Sequence, residues 1–197
     1  MNKKDLQGNP AKQFTLWYKQ TIENHILQPD AMVLSTSSRH GKPSSRIVLL
    51  KEYDESGFVF FTNYNSRKGK ELKENPFASL LFYWAELHKQ VRIEGKVNKI
   101  SRKETEEYFN SRSFESRIGA WASDQSKVIK NRSVLDRKFS ELEKKYKDGV
   151  VPIPPHWGGY ILIPYSIEFW ECRPHRLHDR IRYTRFNKRW KIDRLSP

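Results

Sequence analysis

The sequence predicts an α+β fold that is mostly β and is built on an antiparallel sheet. Between residues 31 and 100, short runs rich in Val, Ile, Leu, Phe and Tyr alternate with turn signals, which is typical of successive β-strands. Helical patterns are inserted between these strands without the regular βαβ alternation of a parallel sheet. Strands in close succession that are joined by tight turns form a meander, which closes into a barrel or a sandwich.

Length and composition favour one ordinary domain. The chain has 197 residues, of which 37% are hydrophobic, enough for a sizeable core. Cys172 is the single cysteine, no apolar run is long enough to span a bilayer, and the first ten residues lack the apolar segment of a signal peptide. We therefore expect a soluble, cytoplasmic protein without an internal disulfide or a membrane partner.

The charge favours anionic partners. There are 37 Lys and Arg against 23 Asp and Glu, a formal net charge of +14, which suits nucleic acid, acidic membranes or phosphorylated small molecules. The 13% aromatic content, with six Trp, argues against a disordered polycation.

A helix precedes the strands. Residues 1–12 are polar and contain Gly8 and Pro10, and we predict a mobile arm there, followed by a single domain over residues 13–197. From Phe14 to Leu27 the apolar residues recur at spacings of three and four, the period of one helix face, and Trp17 is expected in the core.

Five strands follow this helix. Their period of two and their turn signals place them at Ala31–Ser37, Ser44–Tyr53, Gly57–Asn63, Phe77–Trp84 and Gln90–Ile100.

A short helix interrupts the strands over Ser66–Asn75, where Ser66 is a suitable N-cap. Arg67 and Lys68 lie in its first turn, where cations oppose the helix dipole. A bound anion would relieve that conflict, although two exposed, screened side chains are the simpler alternative.

A capping box at Ser101 and Glu104 begins a helix that runs to about Arg112, and a second helical segment spans Phe114–Trp121. Tyr108, Arg112 and Ser116 together offer one guanidinium fork and two hydroxyls, which can hold a phosphate. From these residues alone the simpler interpretation is that Tyr108 and Phe109 belong to the core and Arg112 caps the helix.

The last third returns to strand character. A charged helix is predicted at Asn131–Lys147 and an extended connector at Val150–His156. The predicted strands are Gly159–Ile163 and Ser166–Cys172, and then a hairpin formed by Ile181–Phe186 and Trp190–Asp193 around Asn187 and Lys188.

The stretch Glu168–Arg180 carries an unusual row of cations. If the backbone stays extended, Arg176, His178 and Arg180 project from one face about 7 Å apart, as expected for a ligand surface. A solvated edge strand is the alternative. A metal site is the least favoured interpretation, because His178 and Asp179 point to opposite faces of a strand and the chain has only six His and one Cys.

Any phosphate must be held by side chains, because the glycines form neither a dinucleotide fingerprint nor a P-loop. The candidates are Arg46 and Lys51, Arg67 and Lys68, and Gln125 and Ser126. Arg46 and Lys51 have opposite parity, so they face opposite sides of a regular strand unless the strand is bent.

Ten segments in order resemble one known family, over nearly the whole chain. These segments are AMVLST at 31, RIVLLK at 46, FFTNYNSRKGKEL at 60, QVRIEGK at 90, YFNSR at 108, SRIGAWASDQS at 116, PPHWGGY at 154, EFW at 168, RLHDR at 176 and the terminal DRLSP. They resemble pyridoxamine 5′-phosphate oxidase, the FMN enzyme of vitamin B6 metabolism. The resemblance implies a Greek-key-like split β-barrel with peripheral helices, and a homodimer with two FMN sites at the subunit interface.

The resemblance also implies site residues. The residues implied to contact FMN are Arg46, Ile47, Val48, Leu49, Leu50, Lys51, Phe61, Thr62, Arg67, Lys68, Gln90, Gln125, Ser126, Trp170 and Arg180. The substrate phosphate is assigned to Lys51, Tyr108, Arg112 and Ser116. Arg176, Leu177 and His178 are assigned to the pyridine side, with Arg176 and His178 as the catalytic pair: His178 handles a proton and Arg176 covers the ring.

The implied reaction oxidises C4′ of pyridoxine or pyridoxamine 5′-phosphate to the aldehyde, with O2 as the electron acceptor and peroxide as a product. Two features depart from the family pattern: residues 1–13 lack an Arg/Tyr cluster, and Phe61 stands where the family usually has Tyr.

Three other interpretations remain open. One is an FMN oxidase of the same fold that acts on a different ring, as in phenazine pathways. Another is a flavin or pyridoxal-phosphate carrier without turnover. The third is a nucleic-acid-binding module, since residues 173–194 contain nine Lys or Arg against two Asp. Nucleic acid is not the expected partner, because phosphorylated ligands account for much of this charge.

Overall fold

One antiparallel sheet of nine strands organises the chain in this computed structural model, which describes residue 1, residues 6–187 and residues 189–197. The strands are β1 (Ala31–Ser37), β2 (Pro43–Leu49), β3 (Glu52–Tyr53), β4 (Phe58–Asn63), β5 (Phe77–Trp84), β6 (Lys89–Lys99), β7 (Trp157–Glu171), β8 (Asp179–Phe186) and β9 (Arg189–Arg194). The α-helices are α1 (Pro10–Glu23), α2 (Arg67–Glu74), α3 (Arg102–Ser111), α4 (Phe114–Ala122) and α5 (Arg132–Tyr146). The α+β, mostly β prediction is confirmed.

The sheet order is β2-β1-β5-β6-β7-β4-β3, and β8 and β9 are added at β7. The long strand β7 pairs with β6 along one edge. On its other edge the first half pairs with β4 and the second half with β8. This shared strand curls the sheet into a half-barrel and gives it two distinct ends.

A single strand stands where two were predicted between residues 159 and 172. The register between β6 and β7 shifts between Glu94 and Gly95, and Tyr165 has no partner in the β6 register. A bulge accommodates Pro164, which lacks a backbone donor. Gly95 is required there because a Cβ would lie 2.3 Å from the carbonyl oxygen of Ile163.

The core consists of two clusters. The larger one fills the half-barrel, where Phe14 of α1 packs edge-on against Phe58 and Phe82 with ring centroids 5.1 Å apart. Trp17 is buried as predicted. The smaller cluster packs α3 and α4 against the beginning of β7 through Phe109, Ile118, Val151 and Trp157.

Helix α1 begins earlier than predicted. The Asn9 side chain caps it by accepting a 2.8 Å hydrogen bond from Ala11 N, so Pro10 to Lys12 are helical and the predicted arm is wrong for these residues. The carbonyl oxygen of Gln7 accepts a hydrogen bond from Tyr183 Oη. Residues 2–5 of the predicted arm lie outside the described residues.

The remaining helices confirm their local signals. Ser66 Oγ accepts from Gly69 N at the start of α2, and Ser101 and Glu104 form the capping box of α3. The predicted strand Ser44–Tyr53 breaks at Leu50 and Lys51, whose backbone donors go to Asp30 and Val59. Arg46 and Lys51 therefore belong to a bent segment, one of the two alternatives that their parity left open.

The predicted row of Arg176, His178 and Arg180 on one extended face is wrong. Strand β7 ends at Glu171, and Pro174–Arg176 form a 3-10 turn in which His175 and Arg176 have φ of 59° and 60°. The chain must reverse here because β8 returns antiparallel, pairing Arg180 with Trp170. Arg176 and His178 lie in the turn, and only Arg180 lies on a strand.

The C-terminal hairpin of β8 and β9 is confirmed, and Lys188 lies outside the described residues. Among the helices described, none combines the length and the apolar character needed to cross a bilayer.

Candidate functional site

A cavity of about 460 Å³ lies between the sheet and the helices α2, α3 and α4. Strands β2, β4 and β7 supply its floor, and the two helices after β6 supply its wall. The lining residues are Ile47, Val48, Leu49, Lys51, Phe61, Thr62, Asn63, Lys68, Tyr108, Arg112, Ser116, Gly119, Ala120, Ser123, Gln125 and Trp157.

Eleven of these lining residues are among the site residues that the sequence analysis named. They come from five separate segments of the chain, so the fold brings together what the sequence keeps apart. The lining residues that the sequence analysis did not assign are Asn63, Gly119, Ala120, Ser123 and Trp157.

Stacked aromatic rings form one wall of the cavity. The rings of Phe61 and Tyr108 stack with centroids 3.9 Å apart, and Trp157 stacks on Phe61 at 5.3 Å. The guanidinium carbon of Arg112 lies 4.7 Å from the centroid of Trp157. The wall therefore combines flat apolar faces with a cation held against them.

Arg112 is the least satisfied cation of this wall. Its Nη1 is buried and has no hydrogen-bond partner among the described residues. Burial lowers the pKa of Arg112, because the charged form has lost water. A buried guanidinium nitrogen without a partner is costly, so an anionic ligand would stabilise this side chain.

Lys51, Tyr108 and Ser116 line the same cavity as Arg112. Lys51 Nζ lies 3.3 Å from a carboxylate oxygen of Asp30, and the hydroxyls of Ser113 and Ser116 are 3.1 Å apart. Phe109 belongs to the core and Arg112 is the C-cap residue of α3, as the simpler interpretation predicted, but Tyr108 and the Arg112 side chain face the cavity. These four residues supply two cations and two hydroxyls, a set of donors suited to a phosphate.

A second group of donors lies at the start of α2. Lys68 Nζ donates to Thr62 Oγ1 at 3.1 Å and to Gln125 Oε1 at 2.9 Å. Burial, with a further contribution from Arg46, lowers the pKa of Lys68 to about 8. The backbone N–H of Arg67 donates to Ser126 Oγ at 3.2 Å. The cations therefore converge at the positive end of a helix, which favours an anion.

Four residues named with this group do not line the cavity, and one of them is Ser126, whose hydroxyl accepts from Arg67 N. The guanidinium of Arg46 donates to the side chains of Thr36, Ser44 and Glu71. Leu50 is buried in the main core, and most of the Arg67 side chain is exposed.

The remaining site residues lie at the other end of the sheet. Gln90, Trp170 and Arg180 are neighbours across β6, β7 and β8. Buried Glu168 holds Arg180 through a 2.8 Å hydrogen bond from its Nε. The His178 ring lies 4.6 Å from Trp170, and its Nδ1 accepts from the backbone N–H of Arg173. Arg176 and the exposed Leu177 complete the turn.

The two groups are far apart within one chain. Trp157 of the cavity and Trp170 lie 170 − 157 = 13 residues apart on β7, which corresponds to roughly 40 Å of strand at about 3.3 Å per residue. None of Gln90, Trp170 or the turn residues lines the cavity of the same chain. One small ligand can contact both groups only if a second copy of the chain supplies one of them.

Two family models match this chain. A family model described as pyridoxamine 5′-phosphate oxidase matches residues 18–146. A second model, described as the pyridoxine 5′-phosphate oxidase C-terminal dimerisation region, matches residues 157–197.

Two relatives are named pyridoxine/pyridoxamine 5′-phosphate oxidase. The one from Cyanothece sp. is 55% identical over 197 residues, which is 100% of this chain and 92% of the relative. The one from Paraburkholderia phytofirmans is 54% identical and covers 98% of this chain and 91% of its own length.

Among solved structures, PhzG from Burkholderia lata in complex with tetrahydrophenazine-1-carboxylic acid superposes with a TM-score of 0.93. It is 32% identical and covers 98% of this chain and 95% of its own. A pyridoxamine 5′-phosphate oxidase-related, FMN binding protein from Nostoc punctiforme, 17% identical, has a TM-score of 0.76 and covers 98% of this chain and 100% of its own. These likenesses confirm the split-barrel fold.

Proposed function

The chain belongs to the pyridoxamine 5′-phosphate oxidase family, and we propose that it is an FMN-dependent oxidase of pyridoxine 5′-phosphate and pyridoxamine 5′-phosphate. In this reaction pyridoxine 5′-phosphate and O2 give pyridoxal 5′-phosphate and H2O2. With pyridoxamine 5′-phosphate, water is also consumed and ammonia is released. Bound FMN would supply the two-electron oxidation and transfer the electrons to O2.

The residues present fit FMN. Its phosphate would be held by Lys68 and Arg67 at the start of α2, where a buried lysine with a lowered pKa gains from an anion. Thr62 and Gln125, which hold the Lys68 ammonium, would orient it toward that phosphate. The β2 segment Ile47–Leu49 provides an apolar edge for a flat ring.

The observation that carries the substrate assignment is the second, separate set of phosphate donors in the same cavity. Lys51, Tyr108, Arg112 and Ser116 converge there, and the buried Nη1 of Arg112 has no partner within the described residues. A ligand with its own phosphate satisfies this nitrogen, and the stacked aromatic wall suits a pyridine ring.

The turn after β7 would supply the remaining groups from a second protomer. The C-terminal dimerisation region covers this turn, and the separation of the two groups along β7 supports a site shared between protomers. His178 Nδ1 accepts a hydrogen bond from Arg173 N, so the neutral ring carries its proton on Nε2. Nε2 would therefore donate a hydrogen bond to the reacting part of the substrate and hold a proton there. Arg176 would cover the ring and stabilise negative charge that develops on it.

A turnover assay tests the proposal. The purified protein, supplied with FMN in air, should convert pyridoxine 5′-phosphate with one pyridoxal 5′-phosphate formed for each H2O2. Pyridoxine without the phosphate is the matched control and should react far more slowly. Flavin binding without product from either phosphorylated substrate would refute the assignment.

The affinity for FMN should depend on the protonation of Lys68. Below pH 8 the ammonium is charged and attracts the phosphate, and bound phosphate raises its pKa further. As pH rises above 8, the free protein loses this proton, so the Kd for FMN should rise by up to about tenfold per pH unit. Quenching of flavin fluorescence between about pH 7 and pH 9.5 measures this change, a window that brackets the titration of the free lysine.

Lys68→Arg is the control for this pH dependence, because a guanidinium stays protonated throughout this range. The Kd of this variant for FMN should stay constant between about pH 7 and pH 9.5, whereas the Kd of the wild type should rise. If the Kd for FMN rises with pH equally in both proteins, the pH dependence comes from a group other than Lys68.

A second candidate is oxidation of a different ring, which the similarity to PhzG favours. The ligand in that PhzG complex is a carboxylic acid, so a phenazine-type substrate would not require the four phosphate donors. Equal turnover of phosphorylated and unphosphorylated substrates would support this candidate.

A further inference from the structure

A buried glutamate lies directly behind the cations at the start of α2. The Glu71 side chain is only 8% exposed. One carboxylate oxygen, Oε2, accepts hydrogen bonds from Thr36 Oγ1 at 2.5 Å and from Ser44 Oγ at 2.6 Å. It also lies 3.4 Å from Nη2 of Arg46, and the other oxygen, Oε1, accepts from Nε of Arg67 at 2.8 Å.

This carboxylate is ionised across the working pH range. Burial raises the pKa of Glu71, but the hydrogen bonds from Ser44, Thr36 and Arg67 outweigh burial and lower the pKa to about 2. Its negative charge is therefore a fixed part of the site, surrounded by donors from β1, β2 and α2.

Glu71 determines which nitrogens of Arg67 are available to a ligand. It accepts from Nε, while Nη1 and Nη2 of Arg67 make no hydrogen bond within the described part of the chain. The side chain of Arg67 is 62% exposed, so without this contact it would sample many rotamers. With this contact, the guanidinium is held by one edge, and its two terminal nitrogens have no partner among the described residues.

Arg46 is held by the same network. Its Nη1 donates to Leu34 O and Thr36 Oγ1, and its Nη2 to Ser44 Oγ and Glu71 Oε2. Two of these partners, Thr36 and Ser44, also donate to Glu71. The hydroxyls, the carboxylate and the guanidinium therefore form one connected unit, in which loss of a single member affects the others.

We infer that Glu71 is a positioning residue, which orients Arg67 for the phosphate of the flavin, while Arg46 belongs to the network that holds the carboxylate in place. The inference rests on the proposed function, because it assumes that the ligand at the start of α2 is FMN. Glu71 itself does not line the cavity. It acts through Arg67 by fixing the geometry of that guanidinium.

A purely electrostatic role would have the opposite sign. A carboxylate close to an anion repels it, so neutralising Glu71 should tighten phosphate binding if only charge mattered. A positioning role predicts weaker binding, because Arg67 then loses its fixed orientation. The sign of the change separates the two.

The test compares FMN with riboflavin, which lacks the phosphate, in wild type and Glu71→Gln. We expect the Kd for FMN to rise at least tenfold and the Kd for riboflavin to change less than twofold, as measured by quenching of flavin fluorescence. Glu106→Gln is the matched control, because Arg102 and Glu106 form the same i,i+4 pair at 3.0 Å on the exposed face of α3. This control should leave both Kd values unchanged.

A double-variant cycle shows whether Glu71 acts through Arg67. In an Arg67→Ala background, Glu71→Gln should have a much smaller additional effect on the Kd for FMN. If Glu71→Gln does not fold, Glu71→Asp takes its place, since it keeps the charge but withdraws the carboxylate from Arg67.

Three other results of the FMN and riboflavin measurements would overturn the inference. Equal loss of FMN and riboflavin affinity would overturn the inference in favour of general destabilisation. Unchanged or tighter FMN binding would overturn it in favour of charge alone or no role. A wild type that does not prefer FMN over riboflavin would refute FMN binding itself, and the inference with it.

Discussion

Replacing Arg112 with alanine should lower kcat/KM for pyridoxine 5′-phosphate by about 10²–10³-fold, which corresponds to about 3–4 kcal/mol. The reason is that Arg112 is the cation of the cavity whose buried Nη1 has no partner in the described ranges. Removing one member of a buried, charge-assisted pair also leaves the substrate phosphate poorly solvated. Steady-state kinetics with both phosphorylated substrates measure the loss.

Unphosphorylated pyridoxine provides the internal comparison for this variant. Its slow oxidation should be nearly the same in wild type and Arg112→Ala, because it has no phosphate for the guanidinium to hold. Arg102→Ala is the control, since Arg102 is an exposed arginine of α3 that lies outside the cavity. An Arg112→Ala enzyme that loses activity equally on both substrates would contradict the phosphate role.

Two inactive variants should restore activity when they are mixed as dimers. One variant is Arg112→Ala, in the cavity, and the other is Arg176→Ala with His178→Ala, in the exposed turn after β7. In a mixed dimer, one of the two shared sites receives both defects and the other receives none. Random association makes half of the dimers mixed, so about a quarter of wild-type activity should return.

The control for this mixing experiment is a pair of variants that both change residues of the cavity. Arg112→Ala mixed with Lys51→Ala should not recover, because every site in the mixed dimer keeps one defective cavity. If the Arg112 and turn variants also fail to recover, or if a single chain is active alone, the site is not shared between protomers.

Features that depend on local hydrogen bonds could be predicted from the sequence. The N-cap at Ser66 and the capping box at Ser101 and Glu104 involve groups three residues apart, so their geometry follows from the helix itself. The strand pattern between residues 31 and 100 was equally readable, because alternation reports burial on one face directly.

The turn after β7 shows where such reasoning fails. The alternating pattern predicts an extended strand from Phe169 to Arg180, but the strand ends before Pro174 and two residues with positive φ. Nothing in the period of two signals that reversal. Pro174 was the available warning, since proline removes a ladder donor.

The composition of the cavity depended on tertiary structure. Trp157 forms part of its wall only because α3 packs on the beginning of β7. Glu71 resembled an ordinary helix glutamate, and its spacing of four from Arg67 was the one local signal of their pairing. Side-chain parity could not predict that the site is divided into two groups. Parity indicates the face of the sheet on which a residue lies, but not the end of the strand at which it lies.

The most direct measurement of the central claim is the flavin absorption spectrum of the protein, loaded with FMN and kept anaerobic, before and after addition of pyridoxine 5′-phosphate. We expect the band of the oxidised flavin to bleach and to return when air is admitted, because substrate oxidation and reoxidation by O2 are separate half-reactions. A flavin band that neither pyridoxine 5′-phosphate nor pyridoxamine 5′-phosphate bleaches would contradict the assignment of the substrate, while leaving the fold intact.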